Sequence, residues 1–280
     1  MKITEIETTN LSKFKTSHKF NRYGEIETLQ DYIDFFNYGK LKNCSIYILG
    51  NGSNTLFTSK EVNTLVLKNK LPPSIECISE NEGLYQVSST VMMNKFLNFC
   101  YKNSLESCYY LASVPATIGG ALAMNAGRGK GFKKTIYDYV VSITYIEDGV
   151  LKTVEKKDLK LDYRKTMFTG IQTKLIVNAV FKFDKTEFEK SPIVDRIKWS
   201  KEFQDNTSPN CGSVFKESYP PILKLLKGFK WGSASYSSKT YNWVLNKSSN
   251  SKDVVRLINI AKILHKVIGK KASLEIIQVK

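Results

Sequence analysis

Two glycine-bearing stretches give this chain its clearest means of handling an anion or a flat ligand. The first is Leu49-Gly50-Asn51-Gly52-Ser53-Asn54. Two glycines let the backbone turn tightly so that successive N–H groups point at one anion, and Ser53 and Asn54 add short polar groups. The spacing matches neither the Walker pattern nor a dinucleotide fingerprint leading into a helix. Taken alone it is an ordinary Asn-Gly loop. The second stretch, VPATIGGALAMNAG from Val114 to Gly127, contains no charged and no aromatic residue. Pro115 fixes a bend and Thr117 can hydrogen-bond. Gly119, Gly120 and the alanines remove side chains where a ligand would lie against the backbone. Asn125-Ala126-Gly127 reads as a turn. The same composition suits a tightly packed core helix of small residues, and the residues alone leave the two readings balanced.

Other chemistry is sparse. Five cysteines (Cys44, Cys77, Cys100, Cys108, Cys211) show no C-x-x-C spacing, which argues against a disulfide framework and a zinc site. With only two histidines, His18 and His265, a histidine-rich metal centre is not expected. Cys211 has no histidine nearby in sequence and reads as packing rather than a nucleophile. Arg164 in DYRKTMF, Ser213 in CGSVFK and Glu275 in LEIIQV are, by residue type alone, a surface cation, a turn serine and a solvated strand position.

The elements that must position these residues alternate in type. A short amphipathic helix is expected over 26–37. Strands are expected at 45–49, 64–67 and 85–89, and a helix at 92–103. Residues 139–146 and 150–155 read as a hairpin turning at Asp148-Gly149. A strand follows at 175–183, and polar sequence after Asp184 suggests a boundary near residue 186. In SKDVVRLINIAKILHKVIG, Val254, Leu257, Ile258, Ala261 and Leu264 recur at helical spacing, with Ser251 expected to cap the start and Gly269 the end. LEIIQVK (274–280) reads as one closing strand. The class is α+β.

Composition narrows the partners. The formal charge of +16 rests on 42 basic residues, mostly scattered lysines, so a solvated basic surface is the plain reading. No basic–aromatic recognition motif accompanies it, and no nucleic-acid partner is expected. The longest uncharged run, 107–127, holds Pro115, Gly119, Gly120 and Asn125 and would span a membrane poorly. The opening MKITEIETTN is polar and acidic, so a cytoplasmic protein is expected.

In order, LGNGSN, VPATIGGALAMNAG, LDYRKTMF, CGSVFK and LEIIQV make the chain resemble the UDP-N-acetylenolpyruvoylglucosamine reductases, in the shorter of that family's two forms. The resemblance runs from about Tyr47 onward. It implies a two-part FAD-binding unit of the PCMH/vanillyl-alcohol-oxidase type, 1–70 and 71–185, and an α+β substrate domain, 186–280. It implies FAD as cofactor and NADPH as co-substrate. The expected reaction reduces the enolpyruvyl group of the UDP-sugar to give UDP-N-acetylmuramate for peptidoglycan. Carried over by residue, Asn51, Gly52, Ser53 and Asn54 become pyrophosphate contacts, and Pro115, Thr117, Gly119, Gly120 and Asn125 line the flavin. Arg164 grips the developing carboxylate charge, Ser213 gives the proton, and a protonated Glu275 stabilises the enol-like species. Tyr163, Lys216 and Asn242 orient the UDP-sugar. A monomer is expected.

Departures from the family pattern are specific. Ser113-Val114-Pro115-Ala116 stands where the family writes G-I-P-G, Thr166 closes its Y-R-x-S, and Glu217 replaces an asparagine. Restoring glycine at Ala116 is expected to leave FAD affinity equal or better. Contacts from the N-terminal segment are not assignable. Two rivals remain: a same-fold FAD oxidoreductase with another substrate, and a non-enzymatic binder of anionic polymer.

Overall fold

The computed structural model describes residues 1–280, the Lys130 side chain excepted. The chain divides into two compact units: Met1–Ile3, Gly24–Gly50 and Leu65–Lys198 form the first, and Thr4–Tyr23, Asn51–Thr64 and Trp199–Lys280 the second.

In the first unit, helix Leu29–Leu41 starts three residues later than expected because Thr28 and Asp31 close a capping box. Asp31 N–H donates to Thr28 Oγ1 at 3.1 Å, and Thr28 N–H donates to Asp31 Oδ2 at 2.9 Å. The helix buries Tyr32, Phe35 and Phe36 against a core that includes Ile46, Leu65 and Leu67. The latter three lie on the parallel pair Ile46–Leu49 and Leu65–Asn69.

The larger part of this unit is an antiparallel five-stranded sheet. Its spatial order is Val150–Glu155, Val140–Glu147, Leu175–Lys182, Leu84–Ser88 and Ile75–Ser79. The first two strands form the expected hairpin, with Asp148 at φ 53° and Gly149 at φ 78°. Helix Met93–Lys102 contributes Met93, Phe96, Leu97 and Cys100 to the core, joined by Ile118, Ala121 and Leu122 of helix Ile118–Ala123.

In the second unit, strands Lys230–Trp231, Ala234–Tyr236 and Val244–Asn246 form an antiparallel sheet. Helix Lys252–Val267 turns Val254, Leu257, Ile258 and Ala261 into a core shared with Phe14, Leu56 and Tyr236. Gly269 follows its end at φ 66°. Ser251 does not cap this helix: it has helical dihedrals and its side chain makes no cap bond. The Asn250 side chain takes that place, accepting the Lys252 N–H at 2.9 Å. The closing strand is two strands. Ser273–Leu274 pairs antiparallel with Phe215–Glu217, whereas Ile277–Val279 pairs parallel with Thr55–Phe57. Glu275 and Ile276 carry the chain from one sheet to the other.

No helix among the described residues is long and apolar enough to cross a membrane, and no described cluster of three His, Cys, Asp or Glu could hold a metal ion.

Candidate active site

The small-residue stretch packs one side as a core helix and leaves space on the other. It folds as a helix, Ile118–Ala123, with Thr117 at its N-cap accepting the Gly120 N–H at 3.2 Å. One face is packed hard. Gly119 donates its N–H to Ser89 O at 2.8 Å, and a Cβ on Gly119 would lie 2.9 Å from Ser89 Cβ. The other face is open: a Cβ on Gly120 would meet nothing within 4 Å except Thr117 Oγ1 at 3.3 Å. Pro115 before the helix is exposed, and Thr117, Gly119 and Gly120 are half-buried. Ala116 is 6% exposed and joins the core, with no positive φ, so its extra methyl fills space inside the protein.

Beyond the helix the chain turns through Asn125 at φ 43°, and the loop carrying Arg164 docks onto that turn. Arg164 donates from Nη1 to Asn125 O at 3.2 Å and from Nη2 to Gly127 O at 2.9 Å. Asn125 Nδ2 reaches back to Asp162 O at 2.9 Å. Thr166 Oγ1 and Thr169 Oγ1 both donate to Ala123 O, at 2.9 Å and 2.5 Å. A helix end leaves carbonyls unpaired. Here two hydroxyls of one loop satisfy the Ala123 carbonyl, and the Arg164 cation holds the carbonyls of the turn that follows the helix. The hydroxyl at Thr166, which takes the place of the family's serine, is therefore in use. The Asn125 and Gly127 carbonyls were not legible as partners of Arg164, nor Ala123 O as the partner of Thr169; a run such as RKTMFT does not say which carbonyls it will meet. Tyr163 packs its ring against the Arg164 guanidinium, 5.1 Å from the ring centroid.

The Gly-Ser-Asn loop lies in the second unit. Gly52 has φ 65°, and a Cβ there would lie 2.2 Å from Leu11 O, so only glycine fits. Gly52 O accepts the Lys13 N–H at 3.0 Å. The N-terminal residues Leu11–Lys13, which sequence could not assign, thus brace this loop. Among the described residues, the N–H groups of Gly52 and Ser53 donate no hydrogen bond. Two adjacent uncommitted donors are what an anion needs.

The same unit brings together residues distant in sequence. Asn54 Nδ2 donates to Glu275 O at 3.0 Å, and Glu275 N–H donates to Val214 O at 2.8 Å, next to Ser213. Asn242 O accepts the Val214 N–H at 2.9 Å, and its side chain brackets Phe215, accepting the Phe215 N–H at 3.0 Å and donating to Phe215 O at 2.7 Å. Asn242 thereby fixes the strand that carries Lys216 and the backbone just after Ser213. Ser213 is half-buried, bridged to Trp243, and its hydroxyl makes no hydrogen bond among the described residues. Lys216 is half-buried on the strand Phe215–Glu217. Glu217 is exposed and pairs with Lys271 and Ser273, both at 3.1 Å. Cys211 is buried, its Sγ 3.6 Å from Gly52 O and 3.5 Å from Thr55 O, and burial pushes its thiol up to about 11. A thiol so hard to ionise is a packing group.

The FAD binding domain family matches residues 23–153. Among curated proteins, the chain is 30% identical over 264 residues to the UDP-N-acetylenolpyruvoylglucosamine reductase of Aquifex aeolicus, covering 90% of this chain and 86% of that one. It is 31% identical over 277 residues to the protein of the same name from Fusobacterium nucleatum, covering 94% and 93%. Among solved structures, the UDP-N-acetylenolpyruvylglucosamine reductase of Thermus caldophilus is similar in fold, with a TM-score of 0.78 at 19% identity over 100% of both chains.

Proposed function

The chain belongs to the UDP-N-acetylenolpyruvoylglucosamine reductase family, and from that premise we propose that it is a UDP-N-acetylmuramate dehydrogenase of peptidoglycan synthesis. It would use FAD and NADPH to reduce the enolpyruvyl group of UDP-N-acetylglucosamine enolpyruvate. The observation that carries this reading furthest is the assembly of Ser213, Glu275 and Asn54 in one unit, although Asn54 and Glu275 stand 221 residues apart.

The residues fit the flavin nucleotide. Gly52 and Ser53 offer paired N–H donors to a pyrophosphate, and the open Gly120 side of the small helix, flanked by Pro115, Thr117 and Asn125, offers bare backbone to a flat ring, whereas Gly119, also expected at the flavin, packs on the opposite face against Ser89. When bound, FAD supplies the hydride chemistry between NADPH and the terminal carbon of the enolpyruvyl group. The chain's own residues supply the rest. The Ser213 hydroxyl, with no hydrogen-bond partner among the described residues, delivers the proton to the carbon beside the carboxylate. Arg164 steadies the charge that develops on that carboxylate. Its two bonds to the Asn125 and Gly127 carbonyls fix the plane of the guanidinium before substrate arrives. Glu275, protonated, stabilises the enol-like intermediate. Asn242 holds the strand that follows Ser213, and Tyr163 and Lys216 bear on the UDP-sugar.

Three functional parts, 1–70, 71–185 and 186–280, a monomeric state and a cytoplasmic location complete the proposal. Anaerobic mixing tests it. NADPH should bleach the flavin band, and the enolpyruvyl sugar nucleotide should restore it. A flavin that is reduced but not reoxidised by that substrate would point to another oxidoreductase of the same fold.

A further inference from the structure

We propose that Asn125 is a positioning residue that ties Arg164 to the flavin-lining segment, and that its Oδ1 accepts an N–H from the bound ligand. The inference rests on the function proposed above. Asn125 is 7% exposed, and its Oδ1 is buried without a hydrogen-bond partner. The orientation of the amide is fixed by chemistry: its other end faces the Asp162 carbonyl at 2.9 Å, and only an NH₂ can donate there. The acceptor therefore has to be the atom left unmet. A buried acceptor without a donor is costly, and native proteins rarely leave one except where something else binds.

Three further features converge on this residue. Its own carbonyl accepts from Arg164 Nη1 at 3.2 Å. Its side chain holds Asp162, two residues before Arg164. Both Asn125 and Arg164 are left-handed, at φ 43° and 55°, so two tight turns interlock through one side chain. Asparagine tolerates that conformation better than most residues and brings a donor and an acceptor with it. The ligand group it suits is a flat N–H such as the imide of a flavin ring or an amide or imide of the sugar nucleotide.

Asn125→Gly keeps the left-handed backbone and the carbonyl offered to Arg164 while removing both side-chain atoms. Asn125→Asp keeps an acceptor and removes the donor. FAD affinity is measured by titration of apoprotein, and substrate KM and kcat by reoxidation of the reduced enzyme. Losing one buried hydrogen bond to ligand predicts a change of about tenfold in Asn125→Gly. If the N–H belongs to the flavin, the FAD dissociation constant rises in Asn125→Gly and less in Asn125→Asp. If it belongs to the substrate, KM rises with FAD binding unchanged. Either result supports the proposal. A melting temperature that falls while FAD affinity, KM and kcat all stay at wild type makes Asn125 merely structural and overturns it. A wild-type protein that binds no FAD overturns the functional reading and this proposal together.

Discussion

Replacing Arg164 by lysine should loosen the Asn125–Gly127 turn that follows the small-residue helix, apart from any effect on substrate. The arginine donates to two carbonyls at 3.2 Å and 2.9 Å, and lysine, a single ammonium on a flexible stem, cannot hold both in one plane. A hydrogen bond with one charged partner is worth ~1.5–3 kcal/mol when buried. Arg164 is half-buried, so water can replace part of the lost bond, and the net cost of losing one is about 1–2 kcal/mol. The left-handed backbone at residue 164 is the same in both proteins and cancels. For a chain of this size the loss corresponds to roughly 2–8 °C in Tm. The assay is a thermal melt of the apoprotein followed by circular dichroism, so that cofactor affinity does not enter. Arg164→Met, which loses both bonds, should melt lower still. Amide exchange at Ala126 and Arg128 should quicken in the same order. A lysine variant with wild-type Tm and wild-type exchange, yet impaired turnover, would refute the view that Arg164 holds this turn.

Other expectations follow from particular contacts. Ala116→Gly should destabilise by about 1 kcal/mol, because a buried methyl is lost and no positive φ is relieved, and FAD titration should show no gain in affinity. Ser213→Ala should leave flavin reduction by NADPH near wild type while slowing reoxidation by the enolpyruvyl substrate ~10²–10⁴-fold in stopped-flow absorbance; equal reoxidation rates would remove Ser213 as proton donor. Burial lowers the His18 pKa below 6.5, so the unfolded chain binds the extra proton first. Stability should therefore be full above about pH 6.5 and decline as pH falls toward the depressed folded value, and His18→Gln should flatten this slope in melts across that range. Native-state thiol titration should find Cys77 fast, whereas Cys100, Cys108 and Cys211, buried with thiols pushed up to about 12, 12 and 11, react only after denaturation.

Local signals were readable where the sequence decides locally. The Asp148-Gly149 hairpin and the Lys252–Val267 helix follow from turn chemistry and apolar spacing. Boundaries failed where a neighbouring side chain competed: Thr28 with Asp31 delayed the first helix, and Asn250 displaced Ser251 as cap. The closing strand failed for a different reason. Nothing in LEIIQV shows that its two halves pair with strands from opposite ends of the sequence. The candidate site divides likewise. Residue types at Gly52, Ser213 and Glu275 were legible through the resemblance. The bond from Asn54 to Glu275 and the grip of Arg164 on the Asn125 turn are tertiary, and no local pattern announces them.

The split closing strand also bears on how the second unit comes into being. Thr55–Phe57 pairs in parallel with Ile277–Val279, so that edge stays uncovered until the chain has been synthesised past residue 279. Pairings this distant form late, because chain entropy must be given up before the contact rewards it. Until then, the nascent protein presents an unpaired edge of buried residue types, Thr-Leu-Phe, which is a template for joining another chain. A version ending at Leu274 would keep the Phe215–Glu217 ladder and lose this cover, and it should aggregate during expression rather than accumulate as a weakened but soluble enzyme.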